Sequence, residues 1–205
     1  MQKKYYRMID DVEIPNRWFL KSPVDADGND VNPELFEITE EIHVATPLKI
    51  MVRRTGKPLD FTFADFDMPV ASKHVAEKIR RIAGSSVQIL PAIVENYQGQ
   101  FMIMNVLERV NCLDESKSEF LKWTENDNRP DKVGQYRQVT RLLINSKKVP
   151  NLHIFRIDGW EIALIVSEKL KNAFLEVGVT GVRFLDVTLK GSPGVRPRKK
   201  NRGRS

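Results

Sequence analysis

The chain has 205 residues, 41% of them hydrophobic and 29% charged, a balance that places it with folded globular proteins rather than disordered or membrane-embedded chains. Its single cysteine, Cys112, excludes an internal disulfide framework, the start lacks an apolar signal region, and the longest strongly apolar run, 162–166, is too short to cross a bilayer. Net charge is +6 from 33 basic and 27 acidic residues, but the last fifteen residues hold six bases and no acid, so residues 1–190 are neutral and any nucleic-acid partner must be reached through the tail.

In chain order, KKYYRMI at 3–9 predicts an opening strand, followed by a turn-rich stretch over 10–32 and a short helix around Glu34–Glu41. LKIMVR at 48–53 predicts a strand, TGKP at 55–58 a turn, and Leu59, Phe61 and Phe63 alternate with polar residues as a half-buried strand does. A helix should follow Ser72, with Val75, Ile79, Ile82 and Ala83 on one face and Gly84 ending it. Val87–Val94 and FMIMNVLERV then predict a hairpin across ENYQGQ. Residues 114–135 are polar and predict a long surface loop with one helical turn at Ser118–Trp123. Strands are expected within 136–149, in LHIFRI, at 160–166 and from Val182, with a second helix between Ser167 and Gly178. Past Gly191 the Pro, Gly and Arg content predicts a disordered extension.

Two of these segments repeat at an offset of 95 residues, Ser72 falling on Ser167, Ile79 on Phe174, Val87 on Val182 and Leu90 on Leu185. Each copy reads strand, Ser cap, amphipathic helix, Gly turn, strand. The repeated positions are caps and turns (Ser72, Gly84, Ser167, Gly178) and apolar faces, so the repeat specifies a scaffold. The expected fold is α+β, with a mostly antiparallel or mixed sheet and two short helices from the duplicated unit. Each copy is also open to reading as a right-handed parallel crossover. Residues 1–190 are expected to form one domain, with 1–58 either part of it or a small N-terminal subdomain, and 191–205 a basic disordered tail.

No catalytic motif emerges. DADGND at 25–30 has acidic spacing like a calcium loop, but Asp30 and Phe36 stand where Gly and Glu are needed, which leaves a solvated turn. Gly56–Lys57 is followed by Pro58 and lacks the upstream glycine of a phosphate loop. His43, His74 and His153 are isolated, and neither Ser72 nor Ser167 stands in Gly-x-Ser-x-Gly. The reading is therefore a non-enzymatic protein without cofactor or metal. Its candidate partner contacts are Trp18 beside its flanking prolines, Trp123 at the polar loop, and Arg198, Lys199 and Lys200 in the tail. The tail is read as inert, as a phosphate-backbone contact or as an arm for an acidic protein.

PVASKHVAEKIRRIAGSSVQILPAIV, FMIMNVLERVNCLDESKS, HIFRI and IVSEKLKNAFLEVGVTGVRFLDV, in this order and spacing, resemble a bacterial immunity-protein family of polymorphic toxin systems. The likeness spans roughly residues 60–190, with a weaker echo in RWFLKSPVDADG. It implies a cytosolic protein that binds and neutralises a cognate toxin without covalent chemistry, and carries over no catalytic residue. The tail lies outside the pattern. A nucleic-acid-binding accessory role through the tail is the alternative reading, and a small enzyme with an unrecognised site the third.

Overall fold

The computed structural model describes residues 3–188. It is an α+β fold of mixed sheets. Thirteen strands run in chain order among the described residues: β1 (Tyr5–Asp10), β2 (Phe19–Val24), β3 (Leu48–Arg54), β4 (Phe61–Phe63), β5 (Pro69–Ser72), β6 (Val87–Val94), β7 (Phe101–Val106), β8 (Arg109–Val110), β9 (Glu119–Lys122), β10 (Tyr136–Arg141), β11 (Ile154–Ile157), β12 (Trp160–Ser167) and β13 (Val182–Asp186). Helix α1 (Lys73–Ala83) joins β5 to β6, and α2 (Glu168–Glu176) joins β12 to β13.

The first sheet has the order β2-β3-β6-β7-β5-β4 and the second β13-β1-β12-β11-β8; β9 and β10 form a separate two-stranded flap. Among these strands of the described residues, only β3/β6 and β11/β8 pair in parallel. Both copies of the repeat are present, yet neither places its two strands side by side. β5 and β6 are each antiparallel to β7, which lies between them, and β12 and β13 flank β1 in the same way. The two strands of a copy are therefore parallel without touching. A helix crossing over one intervening strand leaves that strand to satisfy the ladder bonds of both its neighbours.

The registers show how deep the duplication runs. Ile103 of β7 faces Val70 and Leu90, and Arg7 of β1 faces Ile165 and Leu185, positions that are 95 residues further on in each case. The middle strand of the first copy follows it in sequence, whereas that of the second comes from the other end of the chain.

Local sequence explains the helices. In α1, Val75, Ala76 and Ile79 are buried at helical spacing while Lys73, Arg80 and Arg81 are exposed. Gly84, at φ +61°, closes the helix with its N–H on Arg80 O, and the two arginines complement the dipole at that end. In α2, Leu170 and Phe174 face inward. The two helices pack on each other, and one cluster takes Val75, Ile79, Leu170 and Phe174 together with Met104 and Val106 of the first sheet and Tyr6, Met8 and Leu164 of the second. Burying an aromatic such as Phe174 there stabilises by about 2–3 kcal/mol.

Three local expectations are corrected. Ser167 caps α2 as expected, accepting Leu170 N–H at 3.3 Å. Ser72 holds the same position at α1 but makes no side-chain cap bond; its hydroxyl is engaged instead with Asp60 O at 3.3 Å and His74 Nδ1 at 3.1 Å. The helix expected at Glu34–Glu41 is one 3-10 turn, Pro33–Phe36, started by Asn32 Oδ1 on Glu34 N–H and unable to continue past Thr39, whose φ is +61°. Ser118–Trp123 is the strand β9 rather than a helical turn: Phe120 packs edge-on to Tyr136 of β10 at 5.1 Å, a cross-strand pair that decides between the two.

Candidate partner-binding surface

The flap projects from the rim of the second sheet and encloses a cleft of about 350 Å³ beside it. Arg109 at the end of β8, Asp158 and Glu161 at the β11–β12 turn, and Glu115, Lys122 and Tyr136 at the flap form its walls. Their charges pair within each wall. Arg109 Nε lies 3.2 Å from Asp158 and its Nη1 3.4 Å from Glu161, whose other bond takes Gly159 N–H at 2.9 Å. On the facing wall Glu115 binds Lys122 at 2.6 Å and accepts the Tyr136 hydroxyl at 2.7 Å. Burial, together with that carboxylate, raises the Tyr136 phenol well above its ordinary value, whereas the Lys122 and Tyr136 bonds hold Glu115 below its own. A second depression of about 240 Å³ shares Asn111, Glu115 and Tyr136 and extends the groove toward Lys148. The groove is polar and open, suited to a complementary surface rather than to an enclosed small molecule.

Behind the cleft lies Arg156, 0% exposed, on β11. Its Nη1 donates to Glu161 O at 2.5 Å, while Nε and Nη2 have no hydrogen-bond partner among the described residues. Desolvation lowers its pKa, and Glu37, Asp67 and Glu161 are the carboxylates that act against that. Glu37 and Asp67 are themselves held above the ordinary carboxylate range by burial, with Arg156 pulling both back and Arg7 also pulling on Asp67. Arg7 stacks its guanidinium over Trp160 at 4.6 Å, with Nε unpartnered. Where the first copy has the apolar Ile103, the second thus holds a mostly desolvated cation. The other fully buried arginine among the described residues, Arg17, is well satisfied by Asp10 at 2.9 Å, Thr62 at 2.5 Å and Asp11 O at 3.0 Å.

Asp67 belongs to an unusual turn. Phe66 and Asp67 both have positive φ, 58° and 52°, conformations that cost an aromatic residue energy. The turn packs on Pro33–Phe36, and Phe66 is 62% exposed. On the flap side, Lys132 acts electrostatically on Glu37, and Glu34 on Arg129. The 129–133 loop is thus within electrostatic reach of the 33–37 segment, which in turn packs on the Phe66 turn.

The sequence-predicted contacts fare differently. Trp18 is not partly exposed: it is 0% exposed, edge-on to Tyr97 at 4.9 Å and tilted against Phe101 at 5.1 Å, so it anchors the first sheet's core rather than a partner. The flanking prolines suggested a loop, but Trp18 N–H bonds Lys57 O at 3.2 Å, which draws the segment under the TGKP turn. Trp123 is half-buried beneath the Arg137 guanidinium, 4.9 Å away, at the base of the flap. Arg198, Lys199 and Lys200 lie outside the described residues. Gly84 and Gly178 do terminate their helices. Cys112 is buried and its thiol is pushed up to about 12, away from any reactive range. DADGND is a turn closed by Asp25 Oδ1, which accepts the backbone N–H groups of Asp27 and Asn29, each at 2.9 Å. Sequence patterning missed Arg156, Arg7 and the Phe66 turn; an arginine inside the apolar HIFRI was the one available signal.

No helix among the described residues is long and apolar enough to cross a membrane. No curated protein matches the chain. Residues 93–188, which hold the flap, the cleft and Arg156 but begin after α1, match the model of a family described as "Immunity protein family (Imm11)". Over that span the chain is similar to an immunity-protein family, as its sequence segments indicate.

Proposed function

We infer that the chain is an immunity protein: it binds a cognate bacterial toxin without covalent chemistry, in the cytosol of the cell that makes it, and blocks the toxin's action. The match over residues 93–188 carries this reading. The open, charge-lined flap cleft lies inside that span and supports recognition by surface complementarity. In this reading no residue acts as a catalyst and no cofactor is needed, because occlusion requires only contact.

Co-expression tests it. The chain should restore growth to cells expressing the toxin encoded beside it, and the two proteins should co-purify. Continued growth arrest with the chain folded and abundant would count against it. The tail carries a separate nucleic-acid reading. If that holds, removing residues 191–205 abolishes nucleic-acid binding, and the intact chain's affinity falls steeply with salt.

A further inference from the structure

Charge in the neutral body is sharply segregated. Residues 22–48 contain Asp25, Asp27, Asp30, Glu34, Glu37, Glu40 and Glu41 and no lysine or arginine. Asp27, Asp30, Glu34, Glu40 and Glu41 are exposed, and none of the seven is in an ion pair among the described residues. Of the nearby bases, Arg53 is taken by Asp65 at 2.5 Å, Arg109 by Asp158, Lys122 by Glu115 and Arg129 by Asp131 at 2.9 Å, while Lys132 acts electrostatically on Glu37.

Set into this negative field is an apolar patch. Leu35 and Ile38 are exposed in the acidic segment, and Phe66, on the turn packed against it, is the most exposed aromatic among the exposed large hydrophobics. A phenylalanine in left-handed backbone, held outward between the buried Ala64 and Met68, is a rigid apolar projection. Projections of this kind act as binding anchors when a partner encloses them. The surrounding carboxylates state the partner's chemistry: its face must bring lysines or arginines around an apolar recess.

We propose that Phe66, Leu35 and Ile38, together with the exposed Glu34, Glu40 and Glu41 of the same acidic segment, form the docking surface for a basic face of the toxin, with Phe66 seated in an apolar recess. The assignment rests on the immunity reading above and adds to it the site and the sign of the partner's charge. The 33–67 segment also precedes the family-matched span, so this surface is carried by the part of the chain outside the match.

The test uses the full chain and the purified product of the adjacent toxin gene. Binding is measured for wild type, Phe66→Ser, the charge reversal Glu34→Lys/Glu40→Lys/Glu41→Lys, and a distant control, Leu175→Ser/Val177→Ser on the exposed end of α2. Because every substituted side chain is exposed, melting curves should coincide. Phe66→Ser should weaken binding by about 30-fold or more. The reversal should slow association and remove its salt dependence, and the control should bind as wild type. Wild-type binding that both Phe66→Ser and the reversal retain overturns the surface and leaves the immunity reading standing. No binding by wild type overturns the immunity reading itself. If a photo-crosslinker at position 66 captures residues 191–205 in place of the toxin, and removing them does not expose the site to it, the tail occupies the surface and the proposal fails.

Discussion

Asp60 and Thr180 hold each other by reciprocal bonds: Asp60 N–H donates to Thr180 Oγ1 at 3.0 Å, while Thr180 N–H and hydroxyl donate to Asp60 Oδ2 at 3.0 and 2.7 Å. Phe61 N–H adds a bond to Thr180 O at 3.0 Å. This clasp fastens the β4 edge of the first sheet to the turn entering β13 of the second, so the sheets are joined by polar geometry as well as by the shared helix core.

Thr180→Val keeps the shape and removes the hydroxyl, leaving Asp60 with fewer donors. It should cost about 1–2 kcal/mol of unfolding free energy in urea titration. A change below a few tenths would show that water replaces the bond without loss.

Next to the clasp, Gly181 sits at φ +98°, and a Cβ there would collide with Phe61 O. Gly178 has φ +64° with open space around its Cβ position. Gly181→Ala should therefore lose several times more stability than Gly178→Ala, for which about 1 kcal/mol is expected from backbone strain alone. Equal losses would mean that the two sheets separate easily at this edge.

Arg156 combines complete burial with two nitrogens that have no hydrogen-bond partner among the described residues. Replacing so poorly satisfied a buried charge with an apolar side chain of similar length should be neutral or stabilising, by up to about 3 kcal/mol for Arg156→Met. A loss of that size instead would assign Arg156 a structural ion network with Glu37 and Asp67.

Those two carboxyls give a pH signature. Burial raises both folded pKa values above their ordinary ones, so the folded state holds their protons more firmly than the unfolded chain does. Their contribution to stability accordingly grows as pH falls through the raised values toward the ordinary range, and is absent above them. Asp25, Asp114 and Asp127 are shifted the other way and lose stability over the acid range. Comparing pH–stability curves of wild type and Glu37→Gln/Asp67→Asn isolates the first effect: the variant should lack the gain on mild acidification. Parallel curves would contradict the assignment.

Much of the scaffold was readable because packing repeats. The helix faces at Val75–Ile79 and Leu170–Phe174, the strand at Val87–Val94 and the glycine terminators follow from periodicity and backbone freedom, which are local properties. What escaped was set by distant partners. Trp18 reads as a loop residue until the 55–58 turn closes over it, and β9 reads as loop because one cross-strand ring contact, Phe120 on Tyr136, decides it. Neither the Phe66 turn nor the Arg7 and Arg156 sites leaves a periodic trace. They depend on which segments meet across the fold, and only the arginine within HIFRI hinted at them.

The placement of β1 bears on how the protein is made. Its partners β12 and β13 begin 155 and 177 residues after it, so β1 is synthesised long before either strand it pairs with. The first sheet, whose copy of the repeat is contiguous, can close around β7 while the second half is still emerging. Until then Tyr5, Tyr6 and Met8 present an unpaired apolar edge, and for that interval the newborn chain is most exposed to mispairing with its neighbours.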